Sequence, residues 1–141
     1  MESGPHMENL IRVVIADDEA LIRAGLATIL QASGDIEVIG EASTGEEALT
    51  VAQHLQPDVV CMDIRMPGGD GLEATRRIQQ LDSAPAVIVI TTFDMDEYVF
   101  GALEAGACGI LLKDSSMTDL VEGVRRAALG EGLVDASLTR R

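Results

Sequence analysis

Five short apolar runs recur along the chain, and between them the apolar positions switch from continuous to helically spaced. Ile11–Ala16 (IRVVIA) is rich in β-branched residues, leads into two acids and predicts a buried strand. Ala20–Gln31 then carries Ile22, Leu26, Ile29 and Leu30 at helical spacing. Ile36–Ala42 predicts the second strand. Thr44 followed by Glu47 has the pattern of a capping box opening a helix to about Leu55, which Pro57 stops. Val59–Met62 (VVCM) is too short and too apolar for anything but the middle of a sheet. Asp70 stands where it would cap a helix to about Leu81, with Ala74, Ile78 and Leu81 on one face. Ala86–Ile90 predicts the fourth strand, and Asp96–Ala105 a weaker helix with Gly101 inside it. Gly109–Leu112 predicts the fifth strand. Ser116 and Asp119 cap a last helix to about Leu129, striped by Leu120, Val121, Val124 and Ala128. Beyond it, Gly130–Arg141 loses all apolar period and reads as a linker.

Strict alternation of strand and helix implies a doubly wound α/β fold: a five-stranded parallel sheet covered on both faces by five helices. In such a sheet the ligand site lies outside the carboxyl ends of the strands. A length of 141 residues suits one domain with its own core. The segment Met1–Met7 (MESGPHM) reads as an expression scar ending in a start Met, which leaves 8–130 as the domain and 131–141 as the start of a linker.

Charge and composition exclude several functions. Ten basic residues face 24 acidic ones, a formal charge of −14, and so acidic a surface repels phosphate backbones. Direct nucleic-acid binding by this chain is therefore not expected. Aromatics make up 2% and Trp is absent, too few to stack bases or a flavin. There is no apolar run of about 18 residues, so no membrane span is expected. Two cysteines, Cys61 and Cys108, read as small buried hydrophobes in a reducing, cytoplasmic compartment. Arg76–Arg77 and Arg125–Arg126 read as solvated helix faces. All the basic residues are Arg except one, Lys113.

The residues just past each predicted strand form a coherent set: Asp17 and Asp18, then Asp63, then Thr91 and Thr92, then Lys113. Clustered carboxylates are a hard-oxygen site suited to Mg²⁺. A carboxylate can also act as a nucleophile towards phosphorus, with a metal and a cation neutralising the transferring group.

With these residues in place, the stretch from about Ile11 to Gly130 resembles the receiver domain of two-component response regulators. Asp17–Asp18 after the first strand resembles the family's metal-binding acids, and Asp63 in PDVVCMDIRMPGGDG its phosphoacceptor. Thr91, closing AVIVIT, takes the place of the family's hydroxyl by register, ahead of Thr92, and Lys113 in GILLKD that of its lysine. GEASTGEEAL, DGLEATRRI, TTFDMDEYV and EAGACGILLKD are further similar to the NarL/FixJ (LuxR-type) subfamily.

The resemblance implies a flavodoxin-like strand order of 2-1-3-4-5. It also implies Mg²⁺ held by Asp17, Asp18, Asp63 and the backbone carbonyl of Arg65, and a switch region of Thr91, Thr92 and Ile110. Lys113 would reach across to Asp63. The implied function is a phosphorylation switch, in which Asp63 accepts a phosphoryl group from a sensor histidine kinase and regulates a helix-turn-helix output domain expected after the linker. The family also implies a homodimer. The domain would be no enzyme beyond self-phosphotransfer and slow autodephosphorylation. One position departs from the pattern: Ile110 stands where the family carries a rotating Tyr or Phe, which leaves the coupling weaker or carried by other residues such as Phe93 or Tyr98. Two alternatives stand beside this reading: a receiver that is never phosphorylated and works by binding partners, and an aspartate-nucleophile phosphatase of the haloacid dehalogenase type. The latter wants an acid–spacer–acid pattern and a cap insertion, whereas here the acids are adjacent.

Overall fold

The computed structural model of the chain describes residues 10–64, 66, 71–91, 101–131 and 133–134. Strands β1 (Ile11–Ala16), β2 (Ile36–Ala42), β3 (Val59–Asp63), β4 (Ala86–Thr91) and β5 (Gly109–Leu112) form one sheet in the order 2-1-3-4-5, every neighbouring pair parallel. Between them run α1 (Ala20–Gln31), α2 (Gly45–Leu55), α3 (Gly71–Ile78) and α4, described over 101–104, and α5 (Met117–Ala128) follows β5. This is the doubly wound sheet that the alternation predicts. Among the described residues no helix is long and apolar enough to cross a membrane.

Alternation within the strands divides the core in two. Val14, Ala16, Val60, Met62, Val87, Val89 and Ile110 pack on one face with α2 and α3. Val13, Ile15, Val59, Cys61, Ile88, Ile90 and Leu111 pack on the other, with α1 and α5. β3, β4 and the second half of β1 are buried on both sides, which is why they read as continuous apolar runs, whereas the edge strand β2 keeps Glu37 and Glu41 exposed.

Several boundaries differ from the predicted ones. β3 and β4 each run one residue further, so that Asp63 pairs opposite Ile90 and Thr91 opposite Leu112 inside the ladder. α3 ends at Ile78 rather than near Leu81, because the Gln80 and Leu81 N–H groups turn back to the Arg77 and Ile78 carbonyls three residues earlier. The stripe of α5 closes on buried Ala127, leaving Ala128 exposed. Leu120, Val124 and Ala127 are spaced four and three apart, the true repeat of one helix face. Asp70, the predicted cap of α3, and the start of the helix predicted from Asp96 lie outside the described residues. Finally, Leu133–Val134, inside the stretch predicted as linker, add a two-residue sixth strand, β6, parallel to β5 at Gly109 and Ile110. It covers backbone that would otherwise be an open sheet edge.

Two ends of α2 show how local chemistry sets the helix. Thr44 Oγ1 accepts the Glu47 N–H at 3.0 Å, as a cap should. The Glu47 carboxylate, however, accepts from the Ser43 N–H at 2.7 Å, one residue before the cap, instead of from Thr44. At the other end Gln56 takes a left-handed conformation (φ 49°) and Arg12 of β1 donates to the Gln56 and Leu55 carbonyls at 2.7 and 2.8 Å. A guanidinium here meets the negative end of the helix dipole as well as its unsatisfied carbonyls.

Candidate functional site

Strand register assembles the site. Ala16 pairs with Met62, so Asp17 follows β1 directly beside Asp63 at the end of β3. Thr91 ends β4, and the Lys113 N–H just past β5 bonds the Thr91 carbonyl at 2.8 Å. Asp17, Asp63, Thr91 and Lys113 thus line one carboxyl edge across four neighbouring strands.

Asp17, Asp63 and Thr91 are buried, whereas Asp18 is exposed. One carboxylate oxygen from each of Asp17, Asp18 and Asp63 lies within 4.8 Å of the other two. Lys113 reaches in between the two buried acids, with Nζ 2.9 Å from Asp17 Oδ2 and 3.3 Å from Asp63 Oδ2. The ammonium therefore bridges both acids and sits nearer Asp17, not on Asp63 alone as the resemblance implies. Burial by itself would push the Lys113 pKa down, but the hydrogen bond to Asp17 and the charges of Asp63 and Asp17 outweigh it and hold it above the usual 10.5. Three carboxylates and one ammonium still leave a net negative cavity of oxygen donors. That donor set fits a small, hard divalent cation such as Mg²⁺.

The turn carrying Asp17 and Asp18 is braced. The Asp17 N–H bonds the Ala42 carbonyl at 3.0 Å, and Asp17 Oδ1 accepts the Glu19 N–H at 2.8 Å. Arg23 of α1 adds a bond from Nη1 to the Asp17 carbonyl at 2.6 Å. On the other side of the site, α3 begins against the end of β3: the Gly71 N–H bonds the Ile64 carbonyl at 2.8 Å, and a Cβ on Gly71 would collide with the Asp63 backbone carbonyl. Only glycine admits that approach. Neither Arg23 nor Gly71 was among the sequence candidates. The signal for Arg23 was present: it shares a helical face with Ala27 and Leu30, an odd place for a charge unless it has a buried partner. Arg65 and Thr92 lie outside the described residues, as do Phe93 and Tyr98. Ile110 is fully buried in the core on the α2 and α3 side of the sheet.

A 2-1-3-4-5 parallel sheet with an acid-rich, lysine-bridged carboxyl edge defines a receiver domain. Residues 13–125 match the response regulator receiver domain family, and the chain belongs to that family. It is 44% identical over 129 residues to the transcriptional regulatory protein LiaR of Bacillus subtilis, covering 92% of this chain and 61% of that protein. Among solved structures, the signal receiver domain of the response regulator NarL from Mycobacterium tuberculosis is 38% identical with a TM-score of 0.84, covering 87% of this chain and 99% of that one. The isolated receiver domain of RcsB from Salmonella enterica, solved with the phosphomimetic BeF3⁻, is 26% identical with a TM-score of 0.84, covering 94% and 98%. These relatives place the chain in the NarL/FixJ (LuxR-type) subfamily. The chain spans about three-fifths of the length of the curated relatives it matches.

Proposed function

We propose that this chain is a phosphorylation switch in which Asp63 is the phosphoacceptor. The observation that carries the reading is the convergence of Asp17, Asp18 and Asp63 with the Lys113 ammonium bridging two of them at one strand edge. A carboxylate oxygen of Asp63 attacks the phosphorus of a phosphohistidine on a sensor kinase; the new P–O bond forms as the P–N bond breaks, and the imidazole leaves with its electron pair and takes up a proton. Lys113 shifts from its carboxylate partners to an oxygen of the transferred group, and the Thr91 hydroxyl donates to another. Asp17, Asp18, Asp63 and the Arg65 carbonyl would hold Mg²⁺, which when bound neutralises phosphoryl charge.

Thr91, Thr92 and their neighbours carry the change outward. Ile110 has no phenolic group and is already packed inside, so it acts as core rather than as the moving part. A cytoplasmic location, a sensor histidine kinase as partner, a helix-turn-helix output domain and a homodimer complete the proposal. The RcsB receiver solved with a beryllofluoride phosphomimetic supports it by likeness.

The test is intact-protein mass after exposure to a small phosphodonor with Mg²⁺. One phosphoryl group should be added to the wild type and none to Asp63→Asn. No addition to the wild type would favour the partner-binding receiver that is never phosphorylated.

A further inference from the structure

We propose that Arg23 is the positioning residue of the metal-binding turn, a reading that rests on the metal and phosphoryl function proposed above. Its guanidinium is a two-point clamp: Nη1 donates to the Asp17 carbonyl at 2.6 Å and Nε to Glu41 Oε1 of β2 at 2.8 Å. The Arg23 side chain is only 17% exposed and its bond to the Asp17 carbonyl is part-buried, while the Glu41 end of the clamp, 48% exposed, faces water. The Asp17 carbonyl lies in the same rigid peptide plane as the Asp18 N–H and Cα. Fixing that oxygen fixes the direction in which the exposed Asp18 leaves the strand. The other bonds at the turn hold the Asp17 N–H and the Asp17 side chain; among the described bonds, only Arg23 ties the 17–18 peptide to a neighbouring strand. A cation that demands near-octahedral oxygen geometry depends on such bracing more than one with a loose shell does.

The sign of the effect separates this role from simple electrostatics. Deleting a positive charge near a cation site strengthens cation binding by Coulomb attraction alone. Loss of positioning weakens it.

Mg²⁺ and Ca²⁺ titrations of the full chain, followed by calorimetry, test the idea with Arg23→Met, Arg23→Lys and Glu41→Ala. Arg23→Met should bind Mg²⁺ about tenfold more weakly. Ca²⁺ should lose less, because its shell tolerates irregular ligands. Arg23→Lys should recover only part of the loss, since one ammonium does not span both partners as the planar fork does. Glu41→Ala should weaken Mg²⁺ less than Arg23→Met, and the double variant should be no worse than Arg23→Met, because the two residues form one clamp. Unchanged or tighter Mg²⁺ binding by a folded Arg23→Met, with only its melting temperature lowered, would overturn the proposal. If that variant fails to fold, wild-type affinity in Arg23→Lys and Glu41→Ala overturns it. A wild type that binds no Mg²⁺ would instead sink the function on which the clamp depends.

Discussion

Lys113 is one ammonium shared by two buried carboxylates with a third close by, and that imbalance governs how single changes act. Asp63→Asn removes one charge from a self-repelling cluster while Lys113 keeps its shorter bond to Asp17. The variant should lose phosphorylation yet melt at the same temperature as the wild type or higher; a clear drop on thermal unfolding would contradict this. Lys113 itself predicts a pH dependence. Its pKa is raised on folding, so its stabilising contribution is complete below pH 10.5 and disappears as pH climbs through the folded value. Lys113→Met lacks that contribution. The melting-temperature gap between wild type and Lys113→Met should therefore be constant at neutral pH and narrow only above 10.5. Comparing the two proteins cancels Cys61, which burial pushes up to about 12. Gly71→Ala acts through backbone, since the added carbon meets the Asp63 carbonyl rather than a flexible side chain. It should cost about 2 kcal/mol and slow phosphorylation, as read by denaturant titration and phosphodonor kinetics.

At the level of elements, long side chains tie helix ends to strands. Arg12 donates from β1 to the last carbonyls of α2, and its backbone N–H bonds Asp58 Oδ2 at 2.8 Å. Arg12→Ala leaves those carbonyls to water and should destabilise by about 1 kcal/mol, lowering the melting temperature by about 4 °C in a scanning measurement. Arg125 of α5 makes a two-pronged pair with Asp35 in the turn before β2, and the hydrogen bond from Arg125 holds the Asp35 carboxyl below its usual 3.8. That pair stabilises above pH 3.8 and is lost as pH falls through the lower folded value. Both partners are substantially exposed, so salt screening keeps its contribution small.

On the scale of the whole molecule, a formal charge of −14 means the folded chain repels itself. Sodium chloride should raise the melting temperature gradually by screening. Mg²⁺ at matched ionic strength should raise it further if, as proposed, it binds at the acid cluster as well as screening. Equal melting curves for the two salts would argue against a cation site. Asp18→Ala should remove most of the Mg²⁺-specific part and leave the screening part intact.

Sequence alone determined the alternation of strands and helices, the parallel sheet and the edge on which the chemistry sits. The reason is that a strand buried on both faces must be continuously apolar, and parallel strands all end on the same side. Asp17, Asp63, Thr91 and Lys113 were legible because each directly follows or closes such a run. Tertiary structure alone decided which of them touch. Lys113 prefers Asp17 to Asp63 by 0.4 Å, the difference between 2.9 and 3.3 Å, a matter of side-chain reach across strands that no local pattern encodes. Arg23 stands oddly on the face of α1 that carries Ala27 and Leu30, but only folding supplied its carbonyl and carboxylate partners, and Arg12 looked ordinary until a helix end came within bonding distance. Gly71 became indispensable only when α3 was laid against the Asp63 backbone. Leu133–Val134 carry too short an apolar signal to announce a strand, and they became one because β5 offered an unpaired edge beside them. Periodicity reports which face of an element is buried; which groups meet across elements is set by packing.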